Sequence, residues 1–301
     1  MTILEIFNVI IPVIVIIIIG VIVGKCLKVD TKPISDLCLY VFSPALFFHS
    51  VVTSQLNLLD LGRIALFAFV VLGLFDVLVR ILGAIFKTSR SNINALLLAS
   101  SFPNSGNYGL PIIMFAFGQA GVAVAIIYMV VQSFLMNSVG VFYASQSAEN
   151  GAKKALMNIL KMPGFTAIIL AILIKIVHFQ VPESIMDPIE LLGQAAIPTL
   201  LTLLGVTLST ISINKAKAFI SLASAFKLMV FPCIALLVID FFYPFDSLPS
   251  KVLILEAATP TAATATLLSI KFDMKSEYVS SALFFSTLLS MVTIPLLLFI
   301  L

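Results

Sequence analysis

Residues 102–112 read Phe102-Pro103-Asn104-Ser105-Gly106-Asn107-Tyr108-Gly109-Leu110-Pro111-Ile112, inside a stretch otherwise apolar enough to cross a bilayer. Two prolines with two asparagines and two glycines between them cannot sit in one continuous helix. Each proline removes a backbone donor and clashes with the preceding turn. Backbone groups freed in this way at membrane depth cost several kcal/mol each unless protein or a polar cavity receives them. A discontinuous helix, met near the midplane by a second one, is how many secondary transporters build a substrate site. The segment therefore predicts a transporter with a broken span.

Outward from this segment the chain stays apolar: 61% of its 301 residues are hydrophobic and 10% charged, which excludes an ordinary soluble domain. Windows of about 20 apolar residues fit at roughly 5–24, 34–53, 62–85, 93–118, 121–144, 162–179, 188–208, 216–239, 250–270 and 277–300. The expected fold is an all-α polytopic membrane protein of ten transmembrane helices, with helices four and nine interrupted. Cys26, Cys38 and Cys233 lack metal-ligand spacing, and neither a metal nor a cofactor is expected. The first apolar run is preceded by Glu5 and by no cation, so the sequence predicts a retained span and not a cleaved signal peptide.

Ten spans put alternate loops on opposite sides, and thirteen of the seventeen Lys and Arg residues fall with one set of loops and their helix ends. Arg63, Lys175 and Lys251 fall on the other side, and Lys227 falls inside a span. The positive-inside rule then places both termini outside a cell membrane and the Ser145 to Lys161 loop in the cytoplasm.

Five spans per half is an odd number, so a duplicated unit inserts in opposite orientations and gives inverted repeats. Residues 1–150 form the expected first five-helix repeat and 151–301 the second. Pro44 and Pro198 mark corresponding positions in spans two and seven, and Pro111 and Pro260 in spans four and nine.

The expected site lies where the two breaks cross. Asn104, Asn107, Gly109 and Pro111 come from span four, with a half-helix starting near Pro111 whose free N–H groups favour an anion. Thr259, Pro260 and Thr261 come from span nine, followed by Thr264 and Thr266. Gln132 and Asn137 on span five are neutral amides that line a pathway or bind helices together. Ionisable residues within spans are costly and read as functional candidates. Asp76 and Arg80, four apart on span three, are either a structural ion pair or a coupling pair. Lys227 is a candidate countercharge to the substrate or to Asp76, and Glu256 either titrates or faces an outer vestibule. His49 reads as a packed residue before it reads as a proton relay. Gly20 and Gly24 mark close helix packing on span one.

At the Pro-Asn-x-x-x-x-Gly-x-Pro run from Pro103 to Pro111 the chain resembles the auxin efflux carrier family, which holds plant auxin carriers and bacterial permeases for dicarboxylates such as malate and malonate. Val41-Phe42-Ser43-Pro44-Ala45-Leu46, Gly193-Gln194-Ala195-Ala196-Ile197-Pro198 with Leu203-Leu204-Gly205, and Ser286 to Leu296 look like that family's second, seventh and tenth spans. The resemblance implies a fold similar to the sodium/bile-acid transporters, with a scaffold domain and a crossover transport domain each drawn from both repeats. It also implies that Asn104 meets a substrate carboxylate and that Asp76 with Arg80 is the acidic and basic pair of the third span. Span nine departs from the plant pattern, with a single proline and threonines where a second proline stands. The long central loop of plant members is absent, as in prokaryotic relatives.

The expected function is secondary active transport of a small mono- or dicarboxylate by an elevator-like displacement. A sodium-coupled organic-anion symporter is the alternative on the same fold, and a membrane receptor would leave the same sequence. Intramembrane enzymes need paired motifs such as His-Glu-x-x-His or two midplane aspartates, which are absent from the sequence. The partners expected are a small organic anion and the lipid bilayer; a homodimer is compatible with this reading, and nucleic acid is not expected.

Overall fold

The structure is a computed structural model that describes residues 2–27, 30–145, 162–211 and 217–301. The elements are α1 (Ile3–Leu27), α2 (Thr31–Thr53), α3 (Leu58–Ile85), α4 (Arg90–Ser100), α5 (residues 105–117), α6 (residues 119–145), α7 (Pro163–Ile176), α8 (Glu183–Thr210), α9 (Lys217–Phe241), α10 (Leu248–Ala258), α11 (Ala263–Lys271) and α12 (Ser276–Ile300). Helices α5 and α6 form the continuous segment Ser105–Ser145 except at Gly118, where φ of 63° and ψ of −161° turn the chain. Only glycine takes that conformation without strain.

Among the described residues seven helical segments are long and apolar enough to cross a membrane: α1, α2, α3, α5 with α6, α8, α9 and α12. The other windows fall short for a definite reason. Window six is a helix of 14 residues, and windows four and nine are split, with pieces as short as 11 and 9 residues. At about 1.5 Å per residue such pieces cover roughly 14–21 Å of a bilayer core about 30 Å thick. Lys28, Lys153, Lys154, Lys161 and Lys215, which carry part of the charge asymmetry, lie outside the described residues, as do positions 146–161 of the expected cytoplasmic loop.

Local sequence sets the helix starts. The Asn57 side chain accepts from the Asp60 N–H at 3.0 Å while the Asp60 carboxylate accepts from the Asn57 N–H at 3.2 Å, a reciprocal cap on α3. Ser89 caps α4 and Ser247 caps α10 through a single bond each, their hydroxyls accepting from the Asn92 and Ser250 N–H groups.

Helices α1, α2, α7 and α8 pack on one another, and α3 to α6 pack with α9 to α12. Each group therefore draws from both halves of the chain. In the first group Gly20 and Gly205 bring α1 and α8 into backbone contact: a methyl on Gly20 would stand 2.3 Å from the Thr202 carbonyl oxygen, and one on Gly205 2.2 Å from that of Ile17. The paired small residues of span one thus serve close packing, as their spacing predicts. In the second group α10 is the central element, with every residue from Val252 to Ala258 buried. Outer faces carry exposed apolar side chains such as Leu66, Leu237 and Phe299, as lipid contact requires.

Candidate functional site

The two breaks meet as a short antiparallel pairing of Pro103 with Thr261. The Asn104 N–H donates to the Pro260 carbonyl at 2.8 Å, and the Ala262 N–H donates to the Phe102 carbonyl at 2.9 Å. Each interrupted helix thereby hands its freed backbone groups to the other, which resolves the cost that the prolines impose.

Half-helix α5 begins at Ser105 and not near Pro111. Its first turn is widened, with Leu110 N–H bonding to Ser105 carbonyl over five residues, and this wider turn admits Pro111, which has no donor of its own. The first N–H groups of any helix lack intrahelical partners, and here they belong to Ser105, Gly106 and Asn107, which border a cavity of about 300 Å³. That cavity lies between the two helix groups. One wall comes from α2, α7 and α8 through residues such as Phe47, Phe165 and Leu200, and the other from the breaks and α6.

Of the residues expected at the site, Asn104, Asn107, Gln132 and Asn137 reach the cavity. Among the described residues, the Asn104 Nδ2, both amide atoms of Gln132 and the Ser105 hydroxyl are buried without a hydrogen-bond partner. Buried polar atoms are ordinarily satisfied, so this group beside a cavity is suited to a polar ligand. Asn137 instead donates Nδ2 to the Ser133 carbonyl at 2.8 Å.

The span-nine residues behave differently. The Thr259 hydroxyl donates to the Glu256 carbonyl at 2.8 Å, and the Thr261 hydroxyl to the Ala99 carbonyl at 2.7 Å. The Thr261 N–H donates to Ser286 Oγ at 3.1 Å. Neither threonine lines the cavity, nor do Pro260, Gly109 or Pro111; Thr264 and Ala262 represent this break on the wall. Ser43 and Ser133 also line it, and the sequence reading assigned them no role. Their signal was weak, because a lone serine in a membrane helix usually bonds to its own backbone.

The ionisable residues all lie off the cavity wall. Arg80 Nε donates to Asp76 Oδ2 at 2.7 Å, and the Tyr143 hydroxyl donates to Asp76 Oδ1 at 2.6 Å. Tyr143, which the sequence reading missed, also packs its ring 6.1 Å from that of Phe102, so the pair touches the crossing through two aromatic rings. Lys227 faces neither the cavity nor Asp76. Its Nζ donates to the Ala257 carbonyl at 2.7 Å, the place where a helix end has unpaired carbonyls and a negative partial charge. Glu256 does not face an outer vestibule: it is 0% exposed, and its carboxylate lies against Gly109. His49 Nε2 stands 3.7 Å from Glu190 Oε2 on α8, outside the cavity wall.

The model of a family described as membrane transport protein matches residues 5–298. An uncharacterized transporter of Methanothermobacter thermautotrophicus is 30% identical over 202 residues, 67% of this chain and 66% of the relative. An uncharacterized transporter of Methanocaldococcus jannaschii is 24% identical over 94% of this chain and 96% of its own length. A Rhizobium meliloti protein named "Putative malonate transporter" is 27% identical over 87% of this chain and 84% of its own. The chain is thus a membrane transporter of the membrane transport protein family, the auxin efflux carrier family that its proline-interrupted span resembles.

Proposed function

We propose that the protein is a secondary active transporter of a small organic anion, which binds in the cavity at the crossing and is carried by an elevator-type movement. The observation that carries this reading is the cavity itself: Asn104, Gln132 and Ser105, each with a buried polar atom left unpartnered among the described residues, line it with the start of α5, and its two walls belong to different helix groups. Sliding one group along the other would move the bound anion with α5 and α6 and leave α2, α7 and α8 in place.

In this reading the split windows each count as one span, giving ten spans in two inverted five-helix repeats, 1–150 and 151–301, with both termini outside a cell membrane. The α1, α2, α7 and α8 group is the scaffold, and the remainder is the crossover transport domain. Asn104 and Asn107 meet the carboxylate, and Gln132 holds the rest of the polar edge. The backbone pairing of Pro260 and Thr261, with Thr259 behind it and Pro111 setting the turn at Gly109, keeps the half-helix end in position.

No residue lining the cavity among those described is charged. Neutral amides and helix N–H groups match one carboxylate better than two, because a second negative charge would stay uncompensated in a low-dielectric site. A monocarboxylate with an apolar body is therefore the preferred substrate class, and malonate, the substrate named for one relative, is the comparison to make.

A thermal-shift screen of purified protein with phenylacetate and malonate tests binding, since a ligand stabilises by RT ln(1 + [L]/Kd). Counterflow of the labelled anion in proteoliposomes then tests transport. Stabilisation without counterflow would make the protein a receptor, and counterflow that requires sodium would make it a sodium symporter.

A further inference from the structure

The crossing has a rear face, and a carboxylate occupies it. Glu256, on α10, is wholly buried, and among the described residues neither of its oxygens has a hydrogen-bond partner. A methyl group on Gly109 would stand 2.7 Å from Oε2 and 2.9 Å from Oε1. The carboxyl group is thus pressed onto the backbone of the first turn of α5, where a residue other than glycine would displace it.

Every element packed on α10 contributes to this environment. From α9, Lys227 is the nearby cation, but its Nζ is given to the Ala257 carbonyl at 2.7 Å. Helix α6 brings Tyr128, whose buried hydroxyl has no hydrogen-bond partner among the described residues. Helix α5 brings Ser105, beside the carboxylate, and Tyr108, which accepts from Ser290 of α12 at 2.9 Å. Ser286 of α12 is committed to Thr261. No group of three or more His, Cys, Asp or Glu side chains suited to a metal ion occurs among the described residues.

We propose that Glu256 is the proton-binding group of this transporter, and that a proton on Glu256 and an anion in the cavity favour each other. This rests on the anion-transport reading above. Gly106 and Asn107 turn one side of the α5 end to the cavity, Gly109 turns the other to Glu256, and Ser105 borders both. A substrate carboxylate in front and an ionised Glu256 behind would compete for one positive helix end. They would repel across about a helix diameter, roughly 10 Å, at an effective dielectric near 20. That repulsion corresponds to roughly a tenfold change in affinity. A proton taken from bulk water onto a Glu256 oxygen removes it. By linkage, anion binding favours that proton by the same factor, and both leave together.

Infrared spectra of reconstituted protein, recorded as pH differences without any ligand, test the site directly. A carbonyl stretch of a protonated carboxylic acid should titrate, vanish in Glu256→Gln and persist in Asp76→Asn. If Glu256→Gln does not fold, Gly109→Ala should displace the carboxyl group and shift that band. Absence of the band from wild type, or its survival in Glu256→Gln, would overturn the assignment. Phenylacetate affinity should fall roughly tenfold from low to high pH in wild type and stay flat in Glu256→Gln. A dependence on sodium in place of pH would also overturn it. If neither phenylacetate nor malonate binds, the transport reading fails, while the band still decides whether Glu256 takes the proton.

Discussion

The two interrupted segments cross at one point and share the same backbone pairing, yet they use their polar side chains in opposite ways. Around the first break Asn104 and Ser105 keep unpartnered atoms beside the cavity. Around the second, Thr259 and Thr261 spend their hydroxyls on the Glu256 and Ala99 carbonyls, and Ser286 takes the Thr261 N–H. One break keeps unspent polar groups, which the proposed function assigns to a ligand, and the other spends its own within the protein. Proximity to a crossing therefore does not by itself leave a polar group free for a ligand; unspent hydrogen-bond capacity has to be read from the structure.

The contrast can be broken most directly at Asn104. Asn104→Ala removes a donor to a charged group, worth about 1.5–3 kcal/mol, or roughly 10- to 150-fold in phenylacetate affinity. The unfolding temperature in detergent should barely move, because the lost amide nitrogen has no partner among the described residues. Unchanged affinity would mean that the first break does not bind.

Thr261→Val probes the other side. It leaves the Ala99 carbonyl without its donor, and should cost about 1–3 kcal/mol of stability with affinity preserved. Weakened binding at unchanged stability would reverse the roles of the two breaks. Thr264 is the sharper case, since it belongs to the second break but lines the cavity. Thr264→Val should weaken binding by about 2- to 10-fold, the value of one neutral hydrogen bond, and leave stability nearly untouched.

The smallest effect is expected away from both breaks. Tyr243, in the α9–α10 loop, donates to the Asp60 carbonyl at 3.2 Å and carboxylate at 3.3 Å. Tyr243→Phe should cost about 0.5–1.5 kcal/mol of stability and no affinity. Burial and the neighbouring Asp60 carboxylate raise the pKa of its phenol. A raised folded-state value means that the stabilisation is intact below the unfolded value of about 10 and is lost as pH climbs beyond it. Unfolding temperatures above pH ~10 should decline more in wild type than in Tyr243→Phe; equal declines would show that this phenol does not set the alkaline limit.

Much of this was legible in the chain. The proline, asparagine and glycine run announced an interrupted helix, because no tertiary context supplies the donor that proline lacks. Asn104, Asn107 and Gln132 were legible as cavity residues because amides in a lipid-facing span would be penalised. Thr259 and Thr261 looked equally suited to binding; Thr259 bonds within its own helix end to the Glu256 carbonyl, whereas the partners of Thr261, Ala99 and Ser286, lie far away in sequence. Lys227 read as a countercharge for the same reason: its acceptor, the Ala257 carbonyl, exists only because α10 stops there.

The sequence by itself determined that the chain is helical, that it belongs in a bilayer and that its helix around Pro103 must break, since composition and backbone chemistry act locally. Only the tertiary structure decided which polar atoms remain unspent and that Glu256 stands behind the half-helix whose first turn faces the cavity. Those outcomes depend on distances between residues remote in the chain, and a hydrogen bond or a repulsion is set by that distance.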